Sequence, residues 1–184
     1  MSGTVLIIGG SGMLRPAVTA LLERGDTAMV VARRPHRAAP PARTAGEFIP
    51  VTGEWDKPGA LVDSVLAAAR HRKLSHTPVQ GAIVWVHSPH RQAVLAELHR
   101  LLAPDATVLQ LWGSATRDPR DIMDEEAHSE CTWRSRHLFL GYRHGPSASQ
   151  WLNDQEISQA TIHAWDTDEK YFHAGELDPW EQRP

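Results

Sequence analysis

Apolar positions along the chain follow two alternating patterns. Short aliphatic and β-branched runs occupy Val5–Ile8, Ala28–Ala32, Phe48–Val51, Ala82–Val86, Thr107–Trp112 and Leu138–Tyr142. Stretches with helical spacing separate several of them. Leu14, Ala17, Val18 and Leu21 stand at i, i+3, i+4 and i+7, with Pro16 tolerated in the first turn and Gly25 as the stop. A second helix is predicted from Asp56, with Leu61, Val62, Val65, Leu66 and Ala69 turned inward. A third is predicted from Ser88-Pro89, read as cap and first helical residue. Asn153-Asp154-Gln155-Glu156 reads as a capping box that opens the last helix, with Ile157, Ala160, Thr161, Ala164 and Trp165 on its inner face. Arg34–Gly46, Ala115–Glu130 and the tail after Asp166 read as the least ordered parts, with Asp118–Glu130 a solvated turn or short helix.

Near-continuous apolar strands alternating with such helices predict a parallel sheet covered on both faces. Right-handed crossovers then give a doubly wound, three-layer α/β/α domain, a Rossmann fold, over residues 1–184. The composition, 41% apolar and 22% charged, is that of a soluble globular protein. A formal net charge of −3 gives no reason to expect nucleic acid or an anionic membrane as partner. No apolar run approaches a membrane span, and one cysteine, Cys131, rules out an internal disulfide; both fit a reducing cytoplasm.

The first strand runs straight into Gly9-Gly10-Ser11-Gly12-Met13-Leu14 and then into the first helix. Such a turn lets the backbone approach a pyrophosphate while the helix N-terminus offers unpaired N–H groups. A packing turn with no ligand is the alternative. Where an NAD site places a carboxylate at the end of the second strand, this chain has Ala32-Arg33-Arg34. Arginine forks there pair with a 2′-phosphate, so NADPH is expected over NADH; a solvated loop is the alternative. Arg37 and Arg43 continue the basic stretch, which its prolines mark as flexible rather than as a second site. Trp85-Val86-His87-Ser88 and Trp112-Gly113-Ser114 end the fourth and fifth strands. The two tryptophans read equally as walls of a nicotinamide pocket or as core residues. His87 and Ser88 join the predicted cofactor contacts, and His87 and Ser114 are the candidates for proton donation and substrate hydrogen bonding. Eleven histidines raise the question of a metal, but His87-x-x-His90 and Glu125, Glu126 with His128 match no ligand motif, so none is expected.

These residues resemble the short-chain dehydrogenase/reductase superfamily, and more closely a small bacterial group of short-chain-dehydrogenase-like proteins. The pieces are Gly9–Leu14, Val31-Ala32-Arg33, Trp85–Ser88, Gln150–Ser158 and Asp178–Pro184. The resemblance implies a Rossmann fold, a nicotinamide cofactor and oxidoreductase chemistry on a small-molecule substrate. The superfamily's Tyr-x-x-x-Lys pair is missing, because Tyr142 and Tyr171 are followed four residues on by Pro146 and Gly175. Ser114 stands where the superfamily has its serine, and Arg15 replaces a small residue. The expectation is therefore an oxidoreductase with nonstandard catalytic residues, or a non-catalytic dinucleotide sensor or scaffold. Trp180, near the terminus, hints at a homodimer.

Overall fold

The computed structural model describes residues 3–74, 79–113, 118–127, 132–146 and 148–184. Its strands are β1 (Thr4–Ile8), β2 (Thr27–Ala32), β3 (Phe48–Thr52), β4 (Val79–Val84), β5 (Leu102–Gly113), β6 (Arg134–Leu140), β7 (Tyr142–His144), β8 (Ser149–Trp151) and β9 (Tyr171–Ala174). Seven of them form one sheet in the order β3-β2-β1-β4-β5-β6-β9, every pair parallel, and β7 and β8 make a small antiparallel hairpin. The helices are α1 (Arg15–Glu23), α2 (Pro58–His71), α3 (Arg91–Glu97), α4 (Pro119–Ala127) and α5 (Asp154–Asp166). This is the doubly wound order expected from the sequence, extended by one strand.

The alternation of strand side chains builds two cores. Leu6, Ile8, Met29 and Val31 share a cluster with Leu61, Val62 and Val65 of α2. Val5, Ile7 and Val30 face the other way, into a cluster with Val18 and Leu21 of α1 and Ile157 and Ala164 of α5. Each such fully buried aliphatic side chain contributes roughly 2 kcal/mol of transfer free energy. A Cβ on Gly81 would run into the Trp165 indole, so that glycine lets α5 sit close on β4. The Asn153–Glu156 capping box forms in both directions, at 2.9 and 2.7 Å. α5 is also fastened to the first crossover, because Ser158 Oγ donates to the Met13 carbonyl at 2.9 Å.

Several expected boundaries shift. β4 stops at Val84, and Trp85–His87 run on without strand pairing. The third helix starts at Arg91 rather than at Pro89, and Ser88 is not its cap; His90 occupies that position. The reason is that Val86, wholly buried, ties the segment to the core before the chain can turn into a helix. The last apolar run divides at Gly141 into β6 and β7. The tail is not irregular: Tyr171–Ala174 is the seventh sheet strand, with Phe172 buried. Trp180 is half-buried beneath its own Arg183, whose guanidinium lies 4.2 Å from the ring centroid. No helix among the described residues is long and apolar enough to cross a membrane.

Candidate functional site

The register sets Ile8 beside Val31 and Val84, so β1, β2 and β4 end level with one another. Chain direction reverses its winding between β1 and β4, which opens a crevice at the carboxyl ends of the strands. A cleft of about 930 Å³ lies there, lined by Gly9, Gly10, Ser11, Ala32, Arg33, Arg34, Arg37, Glu54, Trp55, Asp56, Trp85 and His90.

Its floor is the glycine turn. Gly9 and Gly10 have φ of +83° and +62°, which side-chain-bearing residues rarely adopt. A Cβ on Gly9 would also strike the Trp85 carbonyl oxygen. The Leu14 N–H donates to Gly10 O at 2.8 Å and the Arg15 N–H to Gly12 O at 3.1 Å. The N–H groups of Gly10, Ser11, Gly12 and Met13 find no acceptor among the described residues. They stand at the positive end of α1. Gly12 is different from its neighbours: its φ is ordinary and a Cβ there would meet nothing within 4 Å. The fold does not need a glycine at that place. Leu14 is buried at 1% exposure and Met13 packs on the same cluster, so neither side chain reaches the cleft. Arg15 is exposed and does not crowd the helix against the sheet.

The second wall is cationic. Arg33 and Arg34 follow β2 directly, and Pro35–Ala38 forms a 3₁₀ turn with Pro35 and Ala38 buried. Residues three apart share a side of such a turn, so Arg34 and Arg37 both face outward. The arginine read from sequence as part of a flexible stretch thus joins the cleft. Arg33, Arg34 and Arg37 are exposed, and none pairs with a carboxylate among the described residues. A recess of about 510 Å³ at the opposite ends of the strands contrasts with this. There Arg24 pairs with Asp26 and Asp166 at 2.7 and 2.8 Å, and Arg136 with Asp168 at 2.6 Å. Two cleft residues are acidic, of which Glu54 is held by Lys57 at 2.8 Å.

The third wall comes from β4. The Trp85 N–H donates to Ile8 O at 2.8 Å, and its ring meets His87 edge-on, centroids 4.8 Å apart. Trp55, which the sequence reading missed, approaches His87 from the other side at 5.7 Å. Its signal was an aromatic residue just beyond the end of β3, where the strand opens on the crevice. His87 is exposed and is not itself among the residues that line the cleft. Partial desolvation of its ring, reinforced by the Arg91 charge, holds its pKa below the usual value for histidine. Near neutral pH the imidazole is therefore uncharged, which suits accepting or relaying a hydrogen bond better than donating a proton. Ser88 is exposed and does not line the cleft. Ser114, like Cys131 and His128, lies outside the described residues.

Trp112 takes its core reading. It packs with Ile122 and Phe139 on the far side of the sheet. The Arg91 guanidinium lies 3.6 Å from its ring centroid, and its Nε1–H donates to His137 Nδ1 at 3.2 Å. His137 is fully buried, and its Nε2–H is then left to Ser135 Oγ at 3.1 Å. Burial, with the charges of Lys170 and Arg91, pushes its pKa down to about 4. Both tyrosines are also outside the cleft. Tyr142 is buried, donates to Pro179 O at 2.7 Å, and its pKa is raised by burial; Tyr171 sits on the edge strand β9. Among the described residues no cluster of three or more metal-ligating side chains forms.

Donors and cations in this arrangement fit a phosphorylated nucleotide: N–H groups and three arginines that are unpaired among the described residues, and a Gly12 whose missing side chain leaves open space. No family model and no curated protein matches the chain. Solved structures do. A betaketoacyl-ACP reductase from Bacteroides thetaiotaomicron is 10% identical, with 95% of this chain and 98% of that one covered at a TM-score of 0.65. A Serratia marcescens short-chain dehydrogenase/reductase mutant is 12% identical over 94% and 96%, TM-score 0.61. An NADH-dependent reductase solved with NAD is 11% identical over 95% of each chain, TM-score 0.62. At these identities the likeness establishes the fold, a Rossmann sheet of the kind found in short-chain dehydrogenase/reductase structures.

Proposed function

We propose that this protein binds a nicotinamide dinucleotide, NADP(H) in preference to NAD(H), in the cleft at the end of β1 and β2. One observation carries the reading: backbone N–H groups of the glycine turn and three arginines, unpaired among the described residues, converge on the same cleft. The N–H groups of Gly10–Met13 would hold the pyrophosphate, and Arg33 and Arg34 the 2′-phosphate, with Arg37 beside them. The reductase known with NAD bound, which shares this fold, supports the cofactor class. When bound, such a cofactor supplies or accepts hydride. What this chain adds is orientation, exclusion of water by Trp55 and Trp85, and a polar group at the reacting end, for which His87 and Ser114 are the candidates. That makes it an oxidoreductase with nonstandard catalytic residues.

A second reading is favoured by a specific observation. Neither tyrosine lines the cleft and His87 is uncharged near neutrality, which fits a protein that binds the cofactor without turning it over. Calorimetric titration with NADPH tests the binding claim, and submillimolar affinity is expected. Cofactor oxidation across a panel of carbonyl substrates separates the two readings: turnover with any of them supports the oxidoreductase, and none supports the sensor.

A further inference from the structure

A doubly wound sheet is two mononucleotide-binding halves, and a dinucleotide lies across both. In this protein the halves are unequal. The first, β1–β3, supplies the glycine turn, the three arginines and Trp55. From the second, only Trp85 and His90 reach the cleft among the described residues.

Trp85 fills the ground between them. Its backbone is fixed on β1 by the bond to Ile8 O, and its carbonyl is packed against Gly9. Its indole reaches sideways to the end of β5: Cη2 lies 3.1 Å and Cζ3 3.9 Å from where a Gly113 Cβ would stand. The ring packs on the core cluster that contains Ile83 and Leu111, and His87 and Trp55 continue the aromatic row back into the first half. The strand end that should receive a second nucleotide is therefore roofed by an indole.

We propose that the protein recognises its ligand through the phosphorylated adenosine end alone. Trp85 occupies the place of the nicotinamide, which gains contact with the sheet only when the indole swings out. This rests on the cofactor reading above. It also gives Gly113 a role, since a Cβ there would press on the edge of the ring at 3.1 Å.

The test compares NADP with ADP-ribose 2′-phosphate, which is NADP without its nicotinamide ring, by calorimetry on the full chain. The two are expected to bind within about fivefold of each other, because a ring without contacts adds little to affinity. Trp85→Ala should then shift the ratio of the two affinities toward NADP by about tenfold, a difference of about 1.4 kcal/mol. Trp85→Leu serves the same purpose if the alanine variant does not fold. Wild-type protein that binds NADP more than about fivefold tighter overturns the inference while leaving the cofactor reading intact. So does a folded Trp85 variant with an unchanged ratio. Failure of both ligands to bind at millimolar concentration overturns the cofactor reading, and this inference with it.

Discussion

The sheet carries a recess at each end, and both contain arginines. At the amino ends of the strands Arg24 and Arg136 are committed to Asp26, Asp166 and Asp168. Arg136 is also bonded to the carbonyls of Trp165 and Thr167, so its work is to close the end of α5 onto β6. At the carboxyl ends Arg33, Arg34 and Arg37 have no such commitments among the described residues. A guanidinium already held by carboxylates is part of the scaffold. One left in a concave wall beside unpaired N–H groups is available to an anion. The carboxyl-end cleft is the larger of the two, about 930 against 510 Å³, but the contrast that bears on binding is the state of their charges.

The largest expected effect breaks the cleft through its floor. Gly9→Ala forces a side chain into a positive-φ position against the Trp85 carbonyl, and should cost about 3 kcal/mol or more of stability in a denaturant melt. Acid should act next, on the packing between the recesses rather than on either one. His137 accepts the Trp112 N–H only while neutral, and its folded pKa, about 4, lies below the unfolded value near 6.5. The unfolded chain therefore binds the proton first. The contribution is present above pH 6.5 and is lost as pH falls from 6.5 to about 4, of the order of 3 kcal/mol in all. His137→Gln should flatten that slope in melts across the same range. Arg136→Ala should cost about 2 kcal/mol by stranding two carbonyls. Arg33→Ala with Arg34→Ala should change stability by less than about 0.5 kcal/mol. Equal losses from the two sites would erase the contrast on which the cleft's assignment rests. The stability effect at Gly12 is expected to be as small, since alanine meets open space there and should leave the melt within about 0.5 kcal/mol of wild type. The same substitution should weaken NADPH by about tenfold, because the methyl group enters the cradle.

Much of the architecture was legible because long-period patterns carry it. The stripe Leu14, Ala17, Val18, Leu21 and the runs Val5–Ile8 and Ala28–Ala32 each matched one periodicity, and the winding rule ordered the strands. What escaped was short or depended on distant packing. β9 buries one side chain deeply, Phe172, and so offers no alternation to read. Ser88-Pro89 carries the local chemistry of a helix start, but burial of Val86 decides where the chain turns. At the site, Gly9–Gly12 and Arg33–Arg34 could be brought together from sequence because both sit at strand ends. Arg37 could not, since its direction is set by the burial of Pro35 and Ala38 in one turn. Trp112 and Trp85 looked equivalent as tryptophans at neighbouring strand ends. The pleat sends Trp112 to the far side of the sheet, beyond the reach of a reading that lacked its exact register.

The arginines of the carboxyl-end cleft define the ligand if they hold a 2′-phosphate. Calorimetric titration of wild type and of the Arg33→Ala/Arg34→Ala variant with NADPH and NADH measures this directly. The wild type should prefer NADPH by about tenfold or more, and the variant should lose that preference while keeping its affinity for NADH. Equal loss of both cofactors, or a wild type that binds them alike, would contradict it.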